Sequence, residues 1–414
     1  MMRLGIFALL IAVLAETLAA QVPSILLLSP DTAWRSKSMM AFVGGEAGIR
    51  SNALDVEFLG KSILGGHLDR DHLERLAKDM PQHARLGYGV GAQLELYNFR
   101  DTLFGNANIG LCAALSTNYQ GYASFAPNLF RTVYLGNSAT SGTTVPLGPV
   151  VGGTQAWQKF GIGFFNKSSL SSFTVSLIEG QSYQSLKVNQ ADLYTSALGD
   201  SLTLFTDACY YQSDTTRMGW ANGSGLGASV DFDFNLPLSR GKELVSLSVR
   251  NLGFVAWNEK SEKVRAEMPV DWYGLNVTDY LSGASDTLTL PNWKDSLQEK
   301  RVNDSFVKLL PASVRLRYVR HWKGNSYLET GVGFTPNAAS VPEVYVGYLH
   351  SITKRLMLSG RMVYGGYGGF ALGAELQWLS SHSWFVRAGS MQLEGWLLPT
   401  AGGRNVYLNL GKNF

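Results

Sequence analysis

The sequence predicts an all-β protein, a transmembrane antiparallel β-barrel of about 14 strands (roughly 12 to 16) with an N-terminal, partly helical plug. Three observations predict it: a short apolar leader, period-two alternation repeated along the chain, and a last strand that closes on an aromatic residue.

The leader comes first. Arg3 supplies a positive start, Leu4 to Ala15 is an apolar run, and the small residues Ala19 and Ala20 stand ahead of Gln21. That order reads as a secretory signal peptide, 1–20, cleaved near Ala20. No cysteine stands at the cleavage point, which excludes a lipid-modified N-terminus. After Ala20 no stretch approaches the roughly 20 apolar residues of a spanning helix. The 414 residues include 45 Gly, 20 Phe, 18 Tyr and 10 Trp, but only 16% are charged. Such a mixture suits a wall with one face in lipid and aromatic side chains gathered at its interfaces. A net charge of +3 is too small to point to nucleic acid. Two cysteines, Cys112 and Cys209, are too few for a disulfide framework, and their pairing is left open.

Alternation is the strongest signal. In Ser229–Leu236 the residues Val230, Phe232, Phe234 and Leu236 share one face, and Ser229, Asp231, Asp233 and Asn235 the other. The row Leu86, Tyr88, Val90, Ala92, Leu94, Leu96 opposes Gly87, Gly89, Gly91, Gln93 and Glu95. Val314, Leu316 and Tyr318 oppose Ser313, Arg315 and Arg317; Leu372, Ala374, Leu376 and Trp378 oppose Gly373, Glu375 and Gln377. Weaker alternation marks 107–116, 157–166, 172–179, 201–211, 244–256, 327–334, 343–352, 356–364, 384–394 and 405–414. Each segment has about the 9–11 residues that cross a membrane as a tilted strand. A soluble β-sandwich also alternates, but its strands run nearer 5–6 residues and its domains are set apart. No Pro- or Ser-rich linker divides this chain.

The terminal strand places Val406, Leu408 and Leu410 on one face with Phe414, a pattern similar to the signal by which the barrel assembly machinery recognises its clients. Lys412 departs from the apolar preference of that face. With Phe414 at the periplasmic side, the turns Ser380–Ser383, Thr353–Arg355, Lys323–Asn325 and Pro237–Lys242 fall in the periplasm and are short, as such barrels require. Gly395–Arg404, Thr335–Val341 and Ala256–Ala312 then fall outside. Trp322, Trp378 and Trp384 beside the short turns, and Trp220, Trp257 and Trp396 toward the outer connections, sketch two aromatic girdles.

Two regions are not read as strands. Leu73, Leu76, Ala77 and Met80 recur at helical spacing and stop before Pro81. Preceding the first clear strand, this helix is expected in the periplasm or the lumen. Residues 256–312 read as a long, partly helical outer loop. The domain reading is therefore a leader at 1–20, a plug at 21–81, and a barrel at 82–414 with that loop at about 256–312.

Chemistry-bearing motifs are absent. His67, His72, His83, His321, His350 and His382 are scattered, and there is no HExxH, Gly-x-Ser-x-Gly, phosphate loop or CxxC. No enzyme, metal site or cofactor is expected. The polar rows instead nominate a lumen-facing set: Asp231, Asp233, Arg250, Arg315, Arg317, Glu329, Arg361 and Glu375. Their mixed signs favour cross-strand pairing within the lumen over a selectivity lining.

Several short motifs carry a family resemblance. They are Phe58–Asp79, Leu103-Phe104, Asn128-Leu129-Phe130 before Tyr134-Leu135-Gly136-Asn137, Gly161-Ile162-Gly163, Asn251-Leu252-Gly253 before Trp257, and Leu310-Pro311. On these the chain resembles a family of Bacteroidota outer-membrane barrels of no assigned activity, itself distantly similar to long-chain fatty-acid (FadL-like) transporters. Where those transporters often carry Asn-Pro-Ala, Asn52-Ala53 here has no proline. The resemblance implies a barrel with an N-terminal plug in a Gram-negative outer membrane. The expected function is binding or passive passage of a small hydrophobic molecule, with outer-membrane lipid around the barrel. The alternative is a non-transporting subunit of a secretion or surface-assembly complex.

Overall fold

The computed structural model describes residues 24–28, 38–100, 105–217, 222–239, 242–273, 301–381 and 383–414. The expected leader, Leu103-Phe104, Trp220, His382 and residues 274–300 of the outer connection lie outside the described residues. Nineteen strands follow in chain order: β1 Met39–Ser51, β2 Ala84–Asn98, β3 Ile109–Phe125, β4 Thr144–Pro146, β5 Val150–Asn166, β6 Ser172–Thr195 and β7 Ser201–Gln212. Then come β8 Gly225–Leu238, β9 Glu243–Trp257, β10 Glu262–Tyr273, β11 Arg301–Asn303, β12 Phe306–Leu309 and β13 Ser313–His321. The chain ends with β14 Ser326–Phe334, β15 Val341–Thr353, β16 Leu356–Gly366, β17 Phe370–Leu379, β18 Trp384–Ser390 and β19 Gly403–Asn413. The helices are α1 Ser24–Leu28, α2 Val56–Leu64, α3 Arg70–Asp79, α4 Pro127–Leu135 and α5 Glu394–Leu397.

Fourteen of the strands close an antiparallel barrel: β1, β2, β3, β5, β6, β8, β9 and β13 to β19. The seam joins β19 to β1, with Met40 opposite Asn413 and Arg50 opposite Gly403. Phe414 completes it, its N–H donating to the Met39 carbonyl (2.8 Å) and its own carbonyl accepting from the Ser38 N–H (2.9 Å). Outward residues along the wall, such as Phe160, Phe234, Leu316, Met362 and Leu408, are exposed, whereas Asp231, Asp233, Glu329 and Glu375 on the opposite parity are buried. That is the polarity of a membrane barrel, apolar toward lipid and polar within. Lys412 keeps its place on the outer face because its ammonium lies over the Trp384 ring (4.9 Å) and the Phe414 ring (5.0 Å) at the rim.

The strand number matches expectation, but its membership differs by one exchange. Residues 201–211 do form a strand, yet β7 pairs with the distal half of β6 and with β10, outside the ring. The reason is length: β6 has 24 residues, more than twice what crosses a membrane. Its first half, 172–180, pairs with β8 in the wall, and its second half carries an outer sheet. Within that sheet Lys263 bonds Asp304 at 2.6 Å, and this hydrogen bond holds the Asp304 carboxyl below its ordinary value.

The missing wall strand is β1. Its lipid-facing row is Ala41, Val43, Gly45, Ala47 and Ile49, too small and weakly apolar to announce a spanning strand. Taking β7 out of the ring reverses the direction of β2, β3, β5 and β6 counted back from Phe414. The helical segment at 68–80 is therefore not at the periplasmic side or in the lumen. It belongs, with α2, to the β1–β2 connection at the rim opposite Phe414. The plug boundary at 21–81 is revised accordingly, because residues 39–51 are wall. Likewise 256–312 contains strands β10, β11 and β12 rather than described helix, and Trp257 faces inward, 1% exposed, instead of joining a girdle.

Candidate binding site in the barrel lumen

The lumen has three levels. At the rim beside Phe414, inward Met40, Phe42, Tyr97, Leu349, Met357, Leu379 and Phe385 meet Phe165 and Leu170 in one apolar cluster. Leu26 of α1, 1% exposed, sits at its centre, so the chain's own N-terminal segment fills this level. The rings lock edge to face: Phe42 on Phe385 (5.8 Å) and Tyr97 on Phe165 (5.0 Å).

Above it lies a belt of buried charge in two clusters. On β2, β5, β8 and β9, Lys159 Nζ donates to Asp231 Oδ2 (2.6 Å) and Asn251 Oδ1 (2.9 Å). Arg250 bonds Asp233 and lies 3.8 Å from Glu95 Oε1. A β-bulge builds this cluster: Asn251 adopts a left-handed backbone (φ 56°) opposite Asp231, and its N–H donates to Asp231 Oδ1 at 2.7 Å. The second cluster spans β13 to β19. Arg361 Nε donates to Glu329 Oε2 (2.9 Å), Arg387 Nη2 donates to Glu375 Oε2 (2.8 Å), and Arg317 approaches Glu329 at 3.8 Å. Arg361 Nη1 also reaches Glu375 Oε2 (3.4 Å), and the Tyr407 hydroxyl donates to the same oxygen. The first cluster holds three carboxylates and two cations, the second three guanidiniums and two carboxylates, so the belt is formally neutral. Pairing is what allows such charges at this depth, since each ion alone would cost several kcal/mol to desolvate.

The third level, toward the long connections, holds a cavity of about 240 Å³. Tyr122, Tyr183, Leu310, Pro311 and Met391 supply apolar walls; Gln155, Asn337, Arg250 and Arg315 supply polar ones. The β16–β17 connection folds into its mouth. Tyr367 there accepts a hydrogen bond from Asn337, and Arg50 donates to the Gly369 carbonyl (2.7 Å) and pairs with Glu343 (2.8 Å). The Tyr367 ring occupies the space over Gly87, where a Cβ would stand 2.2 Å from it.

Of the eight nominated lumen residues, all lie on the inward parity of their strands. Asp231, Asp233, Arg250, Arg317, Glu329, Arg361 and Glu375 join the belt, and Arg315 lines the cavity instead. Arg315 makes no hydrogen bond or ion pair among the described residues. Glu95, Lys159 and Arg387 complete the belt and were not nominated; each stands on the polar row of an alternating segment, and that parity was the available signal. Val406, Leu408, Leu410 and Phe414 form the exposed outward row of β19. Cys112 faces the lumen and Cys209 lies on β7, and both are free. Among the described residues no group of His, Cys, Asp and Glu is placed to hold a metal ion.

A closed fourteen-stranded antiparallel barrel, polar within and apolar without, has the architecture of an outer-membrane β-barrel. The chain belongs to a family of unknown function, DUF5723, whose profile matches residues 88–380. No curated protein sequence matches it. Among solved structures it is similar to the Pseudomonas putida toluene transporter TodX, with 10% identity, 95% of this chain and 92% of that one covered, and a TM-score of 0.41. A Pseudomonas aeruginosa FadL homologue matches at 10% identity, 97% and 96% coverage, and a TM-score of 0.39. The translocator domain of the Neisseria meningitidis autotransporter NalP matches at 8% identity, 94% and 99% coverage, and a TM-score of 0.29.

Proposed function

We propose that the outer half of the lumen binds a small, largely hydrophobic molecule with an acidic end, and that α1 is the plug controlling its onward passage. The observation that supports this reading is the cavity itself. Its size, about 240 Å³, falls just under the roughly 300–1,000 Å³ of ordinary ligand pockets and suits a small ligand. Tyr122, Tyr183, Leu310 and Met391 offer apolar contact, while Arg315 brings a guanidinium free of ion pairs in the structure to its wall. An acidic group there makes a charge-assisted bond without displacing any protein carboxylate.

Gly333 provides the test. A Cβ at this position meets only the Arg315 and Glu343 side chains, at 3.5–4.0 Å, so Gly333→Phe takes up cavity space beside Arg315. Full-length protein purified from native membranes is expected to carry an acidic apolar molecule detectable by mass spectrometry, and Gly333→Phe to lose it. Equal recovery from both proteins, or none from the unaltered one, overturns the reading. A second reading, a non-transporting subunit of a surface machine, draws on the filled level around Leu26. It predicts that the barrel stays closed even when α1 is removed.

A further inference from the structure

Helices α2, α3 and α4 pack against the barrel, but not inside it. Strand parity places Ile49, Ala84, Leu86, Tyr88 and Phe125 on the lipid-facing side of β1, β2 and β3. These residues nonetheless join a cluster with Leu54, Phe58, Leu59, Leu73, Ala77, Met80 and Phe130. The three helices therefore lie on the outer flank of the wall, at the rim opposite Phe414, directly over the top of a lipid-facing surface. Ile49 and Ala84 are 5% and 0% exposed beneath them.

The apolar stripes of α2 and α4 continue past the part the barrel covers. Phe58 and Leu59 are buried, but Ile63, one turn further on the same stripe, is 41% exposed and Leu64 63%. On α4 Phe130 is buried, while Val133 and Tyr134, three and four residues on, are 64% and 40% exposed. The Tyr134 ring packs against both Phe58 (5.2 Å) and Phe130 (4.7 Å), so the uncovered ends form one patch. The exposed side of α3 carries Arg70, Glu74 and Lys78, and the Glu57–Lys61 ion pair (2.7 Å) and exposed Arg131 border the patch where headgroups would lie.

We propose that this patch is a lateral membrane anchor, with α2 and α4 lying in the interface of the outer leaflet and Ile63, Leu64, Val133 and Tyr134 sunk among lipid chains. Continuity identifies the occupant. The patch extends from wall strands whose next outward residues, Ala47, Val90 and Ala92, continue the lipid-facing row. Helices of this kind settle with their apolar face about 5–10 Å into the headgroup boundary. Each is too short to bind a membrane alone, but here the barrel holds both at the surface, so no separate association cost arises.

The test uses the full-length barrel in lipid vesicles, with a polarity-sensitive fluorophore on single cysteines in a Cys112→Ser, Cys209→Ser background. Leu64→Cys and Val133→Cys are the probes, Glu74→Cys the solvent control and Leu372→Cys, on the lipid face of β17, the lipid control. Heat-modifiable migration confirms that each variant is assembled. Probes at 64 and 133 are expected to be quenched several-fold more strongly by chain-brominated lipid than by aqueous iodide, as at 372. Iodide quenching equal to that at 74 overturns the anchor. So does protection from both quenchers in native membranes, which assigns the patch to a protein partner.

Discussion

The two ends of the lumen obey one pattern and reach opposite results. Both are lined by the inward residues of the same fourteen strands. Toward Phe414 those residues are Phe42, Phe165, Leu349, Met357 and Phe385, large and apolar, and with Leu26 they pack into one buried cluster. Toward the long connections Gly153, Gln155, Ser313, Gly333 and Asn405, small or polar, stand among larger walls such as Tyr122 and Tyr183, and a cavity remains. The belt of charge stands between the two. The comparison teaches that a barrel of this width is neither open nor closed by its strand number. Inward side-chain volume, level by level, decides it.

Breaking the belt gives the largest expected effect. Glu375→Leu strips Arg361, Arg387 and the Tyr407 hydroxyl of their shared acceptor. Removing one partner of a buried ion pair costs about 3–5 kcal/mol, so assembled barrel is expected to fall sharply in a heat-modifiability assay. Glu375→Leu combined with Arg387→Leu is expected to recover part of that loss. If the single change is neutral, the belt is solvated and does not divide the lumen.

Charge placed on the opposite parity separates lumen from lipid. Leu408→Asp and Leu410→Asp fall on the exposed outward row of β19 and put a carboxylate in hydrocarbon, at a cost below the roughly 2–4 kcal/mol of Arg or Lys at midplane. The expected outcome is unassembled chain, whereas Asn409→Asp on the inward row still assembles. Equal behaviour of 408 and 409 would mean that β19 is registered differently.

Deleting residues 21–28 sharpens the comparison at its closed end. The change removes Leu26 from the cluster around Phe42 and Phe385 without touching any wall strand. Conductance in planar bilayers is expected to rise above that of the full chain. No gain assigns closure to the belt and wall residues, and favours the non-transporting subunit.

The smallest expected effect on stability belongs to Arg315→Gln in the open half. With no ion pair to lose, stability is expected to change by no more than about 0.5 kcal/mol. Recovery of a copurifying acidic molecule should drop about tenfold, as the loss of one charge-assisted bond of about 1.5 kcal/mol implies. Unchanged recovery removes Arg315 from the site.

Alternation made most of this architecture legible from residues alone. In β8 the row Val230, Phe232, Phe234 against Asp231 and Asp233 states both faces, because lipid and lumen impose opposite demands on successive residues. The same logic exposed Glu329, Arg361 and Glu375 as inward before any partner was known. It failed at β1, where Ala41, Gly45 and Ala47 carry little apolar contrast, and at β7, where contrast was present but the strand lies outside the ring. One strand missed and one miscounted left the total unchanged, yet counting β7 into the ring inverted the direction of four strands and moved α2 and α3 to the wrong side.

What the sequence by itself determined is the local two-faced pattern: which strands alternate, which side of each is polar, and a closing strand that ends in Phe414. These follow from the period of a strand and from the cost of charge in hydrocarbon, and both are properties of neighbouring residues. Only the tertiary structure decided which strands share the ring, which cations meet which carboxylates, and where Leu26 and the α2–α4 cluster come to rest. Those outcomes depend on pairings between residues far apart in the chain, such as Arg361 with Glu329 or Phe58 with Phe130. No local pattern encodes them, because the same inward arginine satisfies its charge equally well against any carboxylate that closure brings within reach.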